Sequence, residues 1–403
     1  MSRRVVITAM GAVTSLGDDA HSIADSIRQD RVSFQRYAPD SPIVVAPIMH
    51  FDVRRHTGRH KNLRYLNRGA AMAVATATLA VRNARLSEAQ HRRAGLFVGA
   101  GPNLDLGTEC PQIDAGKISD DGLPALWMLR FLPNTAASAI AQLTGIHGEN
   151  LSLGNACAAS LQAVGEAYRR IRHGDLDLAV AGGGDSRLSD GALLAYHKAG
   201  ALFCGEDPPE TASRPFDTSR QGFVPGEGGA FFVLESADHA IQRGASVLAE
   251  VRGYGATLDG HAMAAPQPDG LWAEQAVRRA LAQAGLAPEA IDLISAHGTG
   301  TTLNDAVEAA MIQRVFEERQ PVVVALKSWI GHLASACGAA ELAISLIALQ
   351  TGQWPHIRNL AAPCNTALNY LREKSAVDPS HLLLQNFGFG GQNAALVVGR
   401  WRS

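Results

Sequence analysis

The chain has 403 residues, 46% of them hydrophobic, with 40 glycines and a formal net charge of -2. That is enough apolar residue for a large core, in two domains or one large duplicated unit, and the near-neutral balance gives no global case for binding nucleic acid or a membrane. The five cysteines, Cys110, Cys157, Cys204, Cys337 and Cys364, are odd in number, far apart and without a CxxC pair. This argues against a disulfide framework and against a metal site, and suits a reducing, cytoplasmic setting.

The opening "MSRRVVITAMGAV" has the basic residues and short apolar run of a secretory signal, but the run ends at once in the turn-like "TSLGDDA". A first buried strand is the better reading. Next, the helical pattern "AAMAVATATLAVRNARLSEAQ" leads into the apolar strand "AGLFVGAG". In "NLSLGNACAASLQAVGEAYRRIRHG" a short apolar segment gives way to Leu161, Val164, Tyr168 and Ile171 at three- and four-residue spacing, with Gly174 as a stop signal. The continuous apolar runs "LDLAVAGG", "GAFFVLE", "PVVVALK" and "NAALVVGR" predict buried strands. Between them "EQAVRRALAQAGLAPEAID" leads into "DLISAHGTG", a second helix, turn and strand stopping at glycine. The echo suggests a duplication, with a boundary near residues 235–247. It divides the chain into a half over 1–240 carrying Cys157 and a half over 241–403 carrying His297 and His332.

Cys157 falls at the first turn of the helix. Unpaired N–H groups and the positive end of the helix dipole there favour a thiolate, lowering the pKa and arming a nucleophile. A buried structural cysteine is the commoner alternative, and composition leaves both open. Cys337, inside the helical run "HLASACGAAELAISL", reads as a packed core residue without a helix-terminal position. Three more motifs sit at strand-to-turn junctions. They are "SAHGTGTTLNDAVEAA" with His297, "VVVALKSWIGHLASACGAAELAISL" with Lys327 and His332, and the glycine-rich "QNFGFGGQNAALVV" with Phe389. Each alone could be a structural turn.

Together, in order and spacing over almost the whole chain, these motifs resemble the β-ketoacyl-acyl carrier protein synthases of the type II kind, within the thiolase superfamily. "VVITAMGAVTSLG", "SRPFDTSRQGFVPGEGGAFFVLE" and Lys327 five residues before His332 belong to the same likeness. The resemblance implies a duplicated five-layered αβαβα sandwich of thiolase type, class α/β. It implies a homodimer, with a heterodimer as the alternative, and a partner acyl carrier protein whose phosphopantetheine carries the substrates. No bound cofactor is expected.

A thiolate to hold an acyl chain and donors for an enolate oxygen are what carbon–carbon bond formation between thioesters needs. The resemblance assigns the first to Cys157 and the second to His297 and His332, with Lys327 biasing the histidines. The N–H groups of Cys157 and Phe389 would form the oxyanion hole, and Phe389 would gate the acyl pocket. Thr299 and Thr301 are placed on the pantetheine path, and Glu308 becomes a buried structural partner near Lys327.

From Val53 to Arg68 the run "VRRHTGRHKNLRYLNR" carries six basic residues and no acid. Acidic carrier proteins would be steered by such a patch, and the likeness points to Arg64 and Arg68, with His60 and Leu63 at neighbouring docking positions. Asn155, the stretch "GAGPNLDLG", Ala262, Ala264, Ala265 and Gln392 depart from the family pattern. The reading is therefore an active condensing enzyme of fatty acid or type II polyketide synthesis, with an aryl-polyene-like pathway among the possibilities. The rival is a chain-length-factor-like subunit, a class that generally loses the cysteine.

Overall fold

The structure is a computed structural model that describes residues 3–102, 125–317 and 319–402. Cys110 and residues 103–107 of "GAGPNLDLG" lie outside the described residues. Eleven strands share one hydrogen-bonded ladder. The first half supplies β1 (Val5–Val13), β2 (Gly95–Gly99), β3 (Asn150–Leu153), β4 (Leu178–Ser186) and β5 (Glu227–Ser236). The second supplies β6 (Ala249–Leu258), β7 (Leu293–Ser295), β8 (Val322–Val324), β9 (Asn369–Tyr370), β10 (His381–Gly388) and β11 (Gln392–Gly399).

The two halves repeat one topology. The order β3-β2-β4-β5-β1 runs parallel, parallel, antiparallel, antiparallel. The order β8-β7-β10-β11-β6 does the same, with β9 added at its edge. The helix-turn-strand echo in the sequence is thus one visible part of a full repeat. Three residue pairs, Val5 to Ile7 against Val251 to Ala249, join the two sheets.

Helices complete five layers. The outer face of the first sheet is covered by α1 (Arg68–Ala84) and α2 (Thr135–Thr144), and the second by α4 (Leu271–Ala284) and α5 (Thr302–Val315). Between the sheets lie α3 (Ala159–His173) and α6 (Cys337–Thr351), which pack on each other and on strands of both halves. A helix with sheet on both sides has no solvent face, so α6 is apolar all round, as its sequence "CGAAELAISLIALQT" requires. The segment Ala334–Thr351 has the length and hydropathy of a membrane span, yet 89% of it is buried inside this core.

The two central helices begin alike. A residue at positive φ, Ala156 at 46° and Ala334 at 44°, opens a single 3-10 turn (Ala156–Ala158, Ala334–Ala336) from which each helix continues. Left-handed backbone at alanine is strained and persists only where its surroundings impose it. At the first turn the imposing neighbour is Gly388 of β10: a Cβ on it would lie 2.9 Å from the Cys157 nitrogen. Cys337 corrects the sequence reading here, since it is the first residue of α6 and has a helix-terminal position after all.

Candidate active site

The turn before α3 delivers Cys157, the chain just past β7 delivers His297, a short helix over Lys327–Ile330 begins with Lys327, and the residues after it deliver His332. The cysteine sulfur and one nitrogen of each histidine all lie within 4.8 Å of one another. The imidazole rings meet edge to face with centroids 5.6 Å apart. These three residues and Phe389 line one cavity of about 330 Å³, together with Thr299 and Thr301.

Hydrogen bonds fix what the histidines can do. His332 Nδ1 accepts the backbone N–H of Ala334 at 2.9 Å. His297 Nδ1 faces two donors, Lys327 Nζ at 3.2 Å and Asn386 Nδ2 at 3.3 Å. A ring nitrogen facing donors carries no proton, so in each neutral ring the proton sits on Nε2. Burial, with the Lys327 charge adding to it, holds both rings well below the ordinary histidine pKa, so both stay neutral. The pair is therefore two N–H donors set beside one sulfur, and neither Nε2 is available as a base.

Lys327 is 1% exposed. Its ammonium donates to the His297 carbonyl at 2.6 Å and to Glu341 Oε1 at 2.5 Å. Burial opposes that charge, but Cys337 and the Glu341 carboxylate lift its pKa above the ordinary lysine value. Glu341 also accepts from Asn386 Nδ2 at 2.8 Å, so lysine, asparagine and glutamate form a closed frame around His297 Nδ1.

Glu308 is buried and close to the site, as the resemblance implied, while the ion-pair partner of Lys327 is Glu341. Glu308 accepts from the backbone N–H groups of His297 at 2.6 Å and Gly298 at 2.8 Å and from Gln385 at 2.6 Å. It thus props the histidine through its backbone, and burial raises its pKa to about 7. Asp305, one turn earlier on α5, collects the N–H groups of Phe216, Thr299 and Gly300. The two carboxylates hold the loop that "HGTGT" forms. Within it the Thr299 and Thr301 hydroxyls lie 2.9 Å apart, and Thr299 also bonds Asp305.

For Cys157 the structure overturns the expected sign. Burial pushes its thiol up to about 11, while Lys327 and the backbone N–H of Phe389 pull the other way. The helix terminus is present, but the sulfur is enclosed, and desolvation of a thiolate outweighs the nearby N–H groups. That contact nevertheless sets the Phe389 N–H beside the sulfur. The Phe389 ring, 40% exposed, lies 6.4 Å from the ring of Tyr196. Cys337, the other thiol close by, sits 3.5 Å from His332 Nδ1 and is held well above the ordinary thiol pKa by burial.

Of the two basic docking positions, one stands free. Arg64 is exposed, stacks over Tyr65 at 4.7 Å and meets no carboxylate among the described residues. Arg68 instead forms a two-pronged pair with Glu227, at 2.5 and 2.6 Å, and that carboxylate is fully buried. Arg68 is itself partly exposed, but its charge is matched by that buried carboxylate, which leaves Arg64 the freer of the two docking charges.

Sequence reasoning missed Glu341 and Asn386. The one local signal was Glu341 itself, a lone carboxylate in an apolar helical run, which is found fully buried only when paired.

Two sheets with shared central helices, and a cysteine facing two neutral histidines across the seam, define a condensing enzyme of the thiolase type. The β-ketoacyl synthase N-terminal domain matches residues 2–240 and the β-ketoacyl synthase C-terminal domain residues 248–361. The chain belongs to the β-ketoacyl synthase family. It is 30% identical to a 3-oxoacyl-[acyl-carrier-protein] synthase 2 of Staphylococcus aureus (strain COL), over 100% of this chain and 99% of the relative. A β-ketoacyl synthase from Burkholderia phymatum STM815 superposes with a TM-score of 0.89 at 31% identity, covering 99% of this chain and 100% of that one. A structure described as the ishigamide ketosynthase/chain length factor superposes at 0.88 with 29% identity, over all of both chains.

Proposed function

We propose that the chain extends acyl chains by decarboxylative condensation with a malonyl thioester carried on an acyl carrier protein. The observation that carries this is the pair of Nε2–H donors beside Cys157, with both Nδ1 atoms engaged by donors. In the first step the Cys157 sulfur bonds to the acyl carbon, the bond to the pantetheine sulfur breaks, and the thiol proton leaves with that sulfur. The Cys157 and Phe389 N–H groups stabilise the intervening oxyanion. Next the malonyl carbon–carboxylate bond breaks and carbon dioxide leaves. The electron pair moves to the thioester oxygen as an enolate, which the two histidines stabilise. The enolate carbon then bonds to the acyl carbon, Cys157 departs as thiolate, and one proton is taken up to restore the thiol.

Thr299 and Thr301 line the pantetheine approach in this reading, and Lys327, Glu341 and Asn386 position His297. The enzyme works as a dimer in the cytoplasm, with no metal or resident cofactor. Incubation with acyl carriers of graded chain length and with malonyl carrier tests the reading by intact mass and carbon dioxide release. One acyl group on Cys157 and one carbon dioxide per β-ketoacyl product are expected. A chain that takes up no acyl group yet binds a second ketosynthase subunit would favour the chain-length-factor reading.

A further inference from the structure

A second cavity, of about 420 Å³, lies in the first half. Val98, Ala73, Phe131, Leu132 and Ala136 give it an apolar wall, and Arg187 stands among them. The cavity borders the nucleophile's turn: its wall includes Gly99, where any Cβ would overlap the backbone of Ser160, three residues past Cys157. Arg187 is close enough to draw the Cys157 thiol and the His332 ring downward.

Arg187 is 4% exposed. Its Nη2 pairs with Asp185 Oδ2 at 2.9 Å and its Nη1 donates to the Pro102 carbonyl, but its Nε–H has no partner among the described residues. Asp185 Oδ2 is already crowded, accepting the Ser335 hydroxyl at 2.6 Å and its N–H at 3.0 Å. Room for the guanidinium depends on Gly101, where a Cβ would overlap Nη2. A buried charged donor left unpaired is costly and is retained where something completes it.

We propose that Arg187 makes this cavity select acyl chains that carry a neutral oxygen acceptor, a keto or hydroxyl group, along the chain in place of a saturated chain. A carboxylate is disfavoured because the charges facing the cavity are already closed pairs, Arg187 with Asp185 and Arg68 with Glu227. The inference rests on the ketosynthase reading, since the chain must be tethered at Cys157.

The test compares acylation of Cys157 by N-acetylcysteamine thioesters of equal length, one saturated and the others with a single keto oxygen moved along the chain. At one keto position kcat/KM should exceed the saturated value by about tenfold to a hundredfold, the worth of one hydrogen bond to a charged donor. In Arg187→Met that ratio should fall close to one. Should the single variant fail to fold because Asp185 is left unpaired, the double variant Asp185→Asn/Arg187→Met makes the same comparison. Equal acylation by saturated and keto chains in the unaltered protein, or a preference that survives either variant, overturns this inference alone. No acylation of Cys157 by any chain overturns the ketosynthase reading and this inference with it.

Discussion

His332→Ala separates the two half-reactions. The ring is 5% exposed, its Nδ1 is pinned by the Ala334 N–H, and its face packs on Phe223 with centroids 4.7 Å apart. Substitution removes one preorganised donor to the enolate, worth about 2.7 to 4 kcal/mol, so decarboxylation should fall on the order of a hundredfold to a thousandfold. Acyl transfer to Cys157 draws on the N–H groups of Cys157 and Phe389 and should stay within about tenfold of the unaltered rate. The assays are single-turnover intact mass for the acyl-enzyme and carbon dioxide release from malonyl carrier. Because both histidines stay neutral with pKa values well below 6.5, decarboxylation by the unaltered enzyme should also be flat from about pH 7 to 8. Equal loss of both half-reactions, or a decarboxylation rate that collapses as pH rises through neutrality, would refute the donor role.

In Cys157→Ala, condensation should stop while malonyl decarboxylation continues. In the unaltered enzyme, iodoacetamide labelling of Cys157 should climb about tenfold per pH unit through pH 9, and a plateau below pH 8 would show that burial does not govern the thiol. Arg64→Glu should slow carrier association with an effect that shrinks in salt, and a salt-independent defect would remove the steering role. Arg68→Gln should instead cost about 2 to 3 kcal/mol of stability by leaving Glu227 buried and unpaired, less than for a fully enclosed pair because Arg68 is half exposed; an unchanged denaturant midpoint would contradict this. Glu308, with its pKa raised to about 7, holds its proton more tightly folded than unfolded, so its contribution is fully present below about pH 4.5 and lost as pH rises to 7. Relative to Glu308→Gln, the unaltered protein should lose about 3 kcal/mol between pH 4.5 and 7 in denaturant melts, and parallel stability curves would disprove the shift.

Local pattern made α3 legible, since Leu161, Val164, Tyr168 and Ile171 are all buried and Gly174 closes the helix at φ 92°. Strand runs were legible too, although β7 and β8 pair over only three residues each, because their apolar runs continue into loops. The Cys-His-His order could be seen because each residue stands beside glycine or small-residue turns. The frame behind His297 could not. Glu341, Asn386 and Lys327 lie 14 to 89 residues from the atoms they hold, and no periodicity encodes such a meeting. The sign for Cys157 failed for a related reason, since enclosure of the sulfur is a tertiary fact that a helix start does not reveal.

His297 and His332, the frame of Lys327, Glu341 and Asn386, and the props Asp305 and Glu308 come from the second half of the repeat, although Phe223 of the first half packs on His332. Cys157 and every residue lining the larger cavity come from the first. The seam between them therefore separates the residues that frame the two histidine donors from those that line the larger cavity. If the larger cavity takes the acyl chain as proposed, a substitution at Ala73 or Leu132 reshapes which acyl group is accepted while the Lys327, Glu341 and Asn386 frame around His297 keeps its geometry. Such a division lets one scaffold diversify its products without relearning its reaction.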